Sequence, residues 1–241
     1  MAEVWTIAES EGGRLKEVSF ELLARGRALS DELGVPLASV VLTNEIESHE
    51  LERLAWYGAD TIYVAQDPSL HPFTVASHAA LLTALVGHHA PQIILAAATT
   101  TGRTLLPYLA VKLGCGLTAD CTALAIEEGT GNLLQIRPAI GGNIMATIKS
   151  PDHRPQMATI RPRSTPLGEP DEKRRATVRA IDVPTDVHDP VQVLGLRPFG
   201  DQSASIVNAS VVVAGGKGLK RRDNFTLVEI LASSLGGEVG A

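Results

Sequence analysis

Four short apolar runs in the first half of the chain are each followed by a stretch with helical period. The runs are residues 4–8, 35–43, 61–65 and 93–98. The helical stretches are 15–33, 47–57, 72–87 and 103–113. Within 15–33 the apolar Val18, Leu22, Leu29 and Leu33 fall on or near one face. Glycines or prolines punctuate the joints, as at Gly34-Val35-Pro36, Gly58, His71-Pro72 and Gly114. Short strands alternating with helices of roughly 10 to 18 residues make βαβ units, and βαβ units make a parallel sheet. The crossovers are then right-handed, and helices cover both faces. The expected class is α/β, a doubly wound parallel sheet.

The rhythm changes after Gly116. Short β-like pieces follow at 117–126, 133–137, 143–148, 157–161 and 177–183. Turn residues separate them, such as Glu128-Gly129-Thr130-Gly131-Asn132 and Ser150-Pro151-Asp152. Together these predict antiparallel hairpins attached to the edge of the first sheet. Residues 184–200 carry three prolines and two glycines without a period, which predicts a linker or hinge. A new strand, turn and helix then begin near residue 206 and run to the final residue, so a parallel strand starts without a visible neighbour. The expected domains are 1–185, a linker at 186–202, and the opening βα unit of a second α/β domain at 203–241.

Composition narrows the function. Hydrophobic residues are 44% and charged residues 20%, enough apolar material for an ordinary core. The net charge of −6 argues against a general grip on nucleic acid. The two cysteines, Cys115 and Cys121, lack CxxC spacing, and two are too few for a disulfide scaffold or a zinc site. No apolar run approaches the roughly 20 residues of a membrane helix. The N-terminus enters a strand without a basic leader, so the expectation is a cytoplasmic protein; a processed organelle protein would look the same.

Three stretches could carry chemistry. Thr99-Thr100-Thr101-Gly102-Arg103 lies between a strand and a helix, where hydroxyls and backbone amides can hold an anion beyond the carboxyl end of a strand. Capping of the helix by Thr100 or Thr101 is the alternative. Arg137-Pro138-Ala139-Ile140-Gly141-Gly142-Asn143 is a close backbone approach or simply a hairpin corner. Gly215-Gly216-Lys217-Gly218, with Lys220-Arg221-Arg222 behind it, offers open backbone, a cation and a helix start capped by Asp223 or Asn224. It matches no standard phosphate fingerprint, and a solvated basic turn is the alternative. Adjacent His88-His89 diverge by about 100° on a helix, which makes a helix-end role fit better than a metal site. Asp120 fits a turn or cap. No GxSxG or HExxH occurs, and no residue stands out for acid/base catalysis.

Five segments in order resemble the alpha subunit of electron-transfer flavoproteins. They are Gly102-Arg103 with Leu106-Pro107 and Ala110; Gly116 through Leu124; Arg137-Pro138 through Gly141-Gly142-Asn143 to Ile148; Arg154-Pro155 through Arg161-Pro162; and Gly215-Gly216-Lys217-Gly218-Leu219 with Asn224-Phe225 and the helix to Leu235-Gly236. The resemblance covers nearly the whole chain. It implies an N-terminal scaffold of adenine-nucleotide-hydrolase-like fold, a hinge, and a C-terminal FAD domain. It implies a heterodimer with a beta subunit, carrying electrons from flavin dehydrogenases to a quinone reductase or another acceptor, in some members with bifurcation. Cofactor contact is implied at Gly216, Lys217 and Gly218, where Lys217 replaces the family's usual arginine; lysine keeps the charge and loses the planar fork. The family's further flavin-contacting segments do not follow Ala241 in this sequence, so the expectation is a chain truncated within its FAD domain that does not retain FAD by itself. A non-redox scaffold or nucleotide-binding module, motivated by residues 99–103, is the alternative from a different class.

Overall fold

The computed structural model describes residues 2–139, 143–183, 189, 191–195, 197, 206 and 209–241. Gly141-Gly142 and most of the expected linker at 186–202 lie outside the described residues. The chain divides into two units, Met1–Gln192 and Val193–Ala241.

The first unit opens with β1 (Val4–Ala8), a small hairpin of β2 (Ser10–Glu11) and β3 (Arg14–Leu15), then α1 (Glu17–Leu33) and β4 (Leu37–Thr43). There follow α2 (Ser48–Trp56), β5 (Thr61–Gln66), α3 (Val75–His89), β6 (Ile93–Ala97) and α4 (Thr100–Leu113). The β-rich stretch supplies β7 (Leu117–Cys121), β8 (Ala123–Ile126), β9 (Leu133–Pro138), β10 (Met145–Ile148), β11 (Gln156–Ile160) and β12 (Thr177–Ala180). Seven of these strands form one sheet in the order β12-β5-β4-β1-β6-β11-β7. Every adjacent pair in it is parallel.

Strand alternation sorts the core into two layers. Val4, Leu37, Val41, Ile93, Leu95, Ala158 and Ile160 face one side, where Leu22, Leu23 and Leu29 of α1 and Leu54 of α2 meet them. Trp5, Ile7, Val40, Ile94 and Met157 face the other, against Leu82 and Leu85 of α3 and Leu105, Leu106 and Leu109 of α4. Strands covered on both faces bury nearly every residue, as β1, β6 and β11 do.

The expectation of antiparallel hairpins holds for β8, β9 and β10, which pair as a separate three-stranded antiparallel sheet. It does not describe β7, β11 and β12. β11 inserts between β6 and β7, and β12 lies beside β5 at the opposite edge, all in parallel register. Buried glutamines tie the small sheet to the large one. Gln135 of β9 donates to the Met157 carbonyl at 3.0 Å, and Gln156 of β11 accepts from the Leu133 amide at 2.8 Å.

In the second unit, β13 (Val212–Ala214) runs through two short 3-10 turns, Lys217–Leu219 and Arg222–Phe225, into α5 (Thr226–Leu235), and returns as β14 (Glu238–Gly240). β13 and β14 pair in parallel. Val228 and Ala232 are the buried residues of α5, while Leu227, Ile230, Leu231 and Leu235 are half or more exposed.

Candidate functional site

Ligands of open parallel sheets sit beyond the carboxyl ends of the strands, and residues 99–103 lie there: Thr99 follows β6, and 100–103 form the first turn of α4. Thr99 is the N-cap: its Oγ1 accepts from the Gly102 amide at 3.1 Å. The sequence pointed to Thr100 or Thr101 for this task. Gly102 packs on the strand it follows, so closely that a Cβ there would lie 1.9 Å from the Ala97 carbonyl oxygen. The Thr99 hydroxyl donates to Glu9, just past β1. Burial raises the Glu9 pKa, against the opposing Thr99 bond and the Lys16 charge. One crevice over, Ser10 Oγ donates to Thr43 Oγ1 at 3.0 Å. The chain's own hydroxyls and carboxyl thus fill this mouth, and a phosphate entering it would face Glu9. That geometry disfavours a nucleotide phosphate at residues 99–103.

Asp120 does more than cap a turn. It sits at φ 61, its amide held by Thr159 Oγ1 at 2.8 Å, where the β7–β11 register shifts. Its carboxylate takes both arms of Arg161, at 3.2 and 2.7 Å, and Arg103 at 3.2 Å. The Arg161 bonds hold the Asp120 pKa below the ordinary carboxylate range. The fork locks the carboxyl ends of β7 and β11 and the start of α4 together.

The remaining sequence candidates are simpler. Cys121 is buried and its thiol is pushed up to about 11 by that burial; the pKa of half-buried Cys115 is raised for the same reason. Neither thiol is an activated nucleophile at neutral pH. His88 and His89 close α3, and His89 Nδ1 lies 3.2 Å from the Tyr63 hydroxyl. Among the described residues no group of three His, Cys, Asp or Glu side chains could hold a metal ion. No helix among them is long and apolar enough to cross a membrane.

The glycine-rich turn of the second unit has the open geometry that residues 99–103 lack. Gly215 carries the packing load: a Cβ there would meet Leu219 Cδ1 at 2.5 Å and Val228 Cγ2 at 2.7 Å. Its amide donates to the Gly240 carbonyl at 3.0 Å, which fixes the end of β13 against β14. Gly216 and Gly218 are different, with nothing within 4 Å of where a Cβ would stand. Lys217 between them opens the first 3-10 turn, and Gly216, Lys217 and Gly218 are all exposed. Asn224 Nδ2 donates to the Leu219 carbonyl at 2.7 Å and steadies the turn in front of α5. Lys220, Arg221 and Arg222 follow, also exposed. The structure therefore brings the three sequence-named residues into one unobstructed cationic turn between a strand and a helix. That arrangement accommodates an extended anion such as a pyrophosphate.

Comparison with known proteins agrees with both units. Residues 4–186 match the electron transfer flavoprotein domain, and residues 205–241 match the electron transfer flavoprotein FAD-binding domain. The chain is 38% identical over 240 residues to the electron transfer flavoprotein subunit alpha of Thermoanaerobacterium thermosaccharolyticum, covering 99% of this chain and 72% of that protein. It is 39% identical to Protein FixB of Clostridium saccharobutylicum, over 98% of this chain and 70% of the relative. It is 42% identical to Protein FixB of Azorhizobium caulinodans, over 98% of this chain and 65% of the relative. With both domains matched in order and identity sustained along nearly its whole length, this chain belongs to the electron transfer flavoprotein family, among its alpha subunits and FixB proteins.

Proposed function

We propose that the chain is the alpha partner of a heterodimeric electron transfer flavoprotein, with residues 1–185 as scaffold, 186–202 as hinge and 203–241 as the opening of the FAD-binding domain. The observation that supports this reading is the match of an electron transfer flavoprotein domain and an electron transfer flavoprotein FAD-binding domain, in that order, in one chain. FAD, when bound, supplies a carrier that accepts and releases electrons, taken from flavin dehydrogenases and passed to a quinone reductase or another acceptor. Gly216 and Gly218 leave the backbone accessible to its pyrophosphate, and Lys217 supplies the neutralising charge. The beta subunit docks on the small antiparallel sheet, whose β10 side exposes Ile144, Met145 and Ile148.

Two measurements test this. Co-expression with a beta subunit of the same family is expected to give a one-to-one complex by light scattering, and failure to associate with any such subunit removes the heterodimer. Titration of the chain with a large excess of FAD, where contacts too weak to retain the cofactor still register, followed by backbone amide resonances, is expected to move Gly216, Lys217 and Gly218 first. The movement weakens in Lys217→Ala and persists in Lys217→Arg. Unmoved amides in this turn overturn the site.

A further inference from the structure

β12 lies at one edge of the large sheet, and its two faces differ in chemistry. β12 is the outermost strand on the β5 side, and among the described residues none pairs with its outer edge. The Thr177 amide donates to the Asp60 carbonyl and the Ile181 amide to the Val64 carbonyl. Peptide groups alternate along a strand, so the amides and carbonyls of Val178 and Ala180 point away from β5. All four β12 residues are exposed, Val178 at 51%.

A hollow lies on each side of this edge. On the α2 face, Val178 pairs in register with Ile62, and together with Leu51, Ala55 and Trp56 they line an apolar hollow of about 320 Å³. Arg174 and Arg175 border it; Glu52 is there too, facing His49 at 3.9 Å. On the α3 face, Arg179 pairs with Tyr63, and these two line a hollow of about 300 Å³ with His88, His89, Thr61, Pro36 and Glu3. The Glu3 carboxylate is committed, accepting from Trp5 Nε1 at 2.6 Å and from the Tyr63 hydroxyl at 3.2 Å. Arg179 is exposed and forms no ion pair among the described residues, so it is the cation that a side chain arriving on this face would meet. An incoming strand sends successive side chains to opposite faces. One set would enter the apolar hollow under Trp56, and the other would meet Arg179.

We propose that β12 is a β-addition site for an extended partner segment alternating apolar and acidic residues, bound as an eighth strand of this sheet. Main-chain bonds to Val178 and Ala180 would supply affinity, and the two hollows would supply the period-2 specificity. This goes beyond the electron-carrier reading and does not depend on it.

The test uses the 241-residue chain and a labelled, end-blocked peptide of about six residues alternating glutamate and leucine. Fluorescence anisotropy is expected to show saturable binding. An isomer with the same residues in two blocks should bind about tenfold or more weakly. Val178→Pro, which removes an outward amide, and Arg179→Glu should each weaken the alternating peptide to a similar extent, with circular dichroism unchanged. If Val178→Pro does not fold, Arg179→Glu carries the comparison. Absence of binding, equal binding of the block isomer, or affinity unchanged in both variants overturns the proposal. So does self-association of the chain that Val178→Pro or Arg179→Glu abolishes, since a second copy would then be the occupant.

Discussion

Tyr63 is nearly fully buried, yet its hydroxyl meets the Glu3 carboxylate on one side and His89 on the other. Burial, reinforced by the Glu3 charge and hydrogen bond, pushes its pKa from 10.0 to about 12. The consequence for stability has a definite sign. Between about pH 10 and 12 the unfolded chain has lost the phenolic proton and the folded chain keeps it, so stability falls as pH rises through that window. Tyr63→Phe removes the effect. Urea unfolding of wild type and variant at pH 9 and near pH 11.5 should show the wild type losing more stability over the interval; equal losses contradict the assignment. Residues of this kind mark where sequence reading stops. Gly216, Lys217 and Gly218 could be named together as a candidate because they are contiguous. Glu9 and Thr99 are ninety positions apart, and Asp120 and Arg161 forty-one, and nothing local in either segment announces the partner. Asp120 beside a strand start looks like any turn aspartate until the arginine fork is placed on it.

At the scale of elements, the strands, the parallel pairing of β1, β4, β5 and β6 and the antiparallel pairing of β8, β9 and β10 were legible, and the placement of β7, β11 and β12 in the large sheet was not. β1 occupies the residues its apolar run predicted, and β4, β5 and β6 differ from expectation only at their ends. Periodicity reports which faces are buried, and for β11 all five residues are. Gln156 and Thr159 disguise it as a half-exposed hairpin strand, although both side chains are buried and hydrogen-bonded inside. The β6–α4 joint shows how tightly such elements are fitted. α4 can start where it does only because Gly102 lets the helix sit on the Ala97 carbonyl. Gly102→Ala places a methyl against rigid backbone that has no rotamer to yield, so the helix must shift off the strand. A destabilisation of about 2–3 kcal/mol is expected in chemical denaturation. Gly87→Ala, at an exposed position inside α3 where a Cβ meets nothing within 4 Å, should instead stabilise by about 0.5–1 kcal/mol, and a similar gain from Gly102→Ala would show that the contact relaxes freely.

At the scale of the whole molecule, the proposed heterodimer requires the chain to present surface to a beta subunit without exposing its core. Both faces of the large sheet are covered by helices and by the β8–β9 hairpin. β10 is the outer strand of the small sheet, and Ile144, Met145 and Ile148 are 65%, 54% and 39% exposed. Three large apolar side chains this close together at one sheet edge, Ile144 just ahead of β10 and Met145 and Ile148 on its alternate faces, are costly to leave in water and prone to indiscriminate pairing, unless a partner covers them. They also contribute little to the fold of this chain, because they stand clear of its two core layers. A variant with Met145→Glu and Ile148→Lys should therefore keep the melting temperature of the parent while losing about tenfold or more of its affinity for a beta subunit, read by surface plasmon resonance. The double change leaves the added charge at zero, so lost affinity reports lost apolar contact rather than altered steering. Undiminished affinity with the fold intact would move the beta-subunit interface off the small sheet.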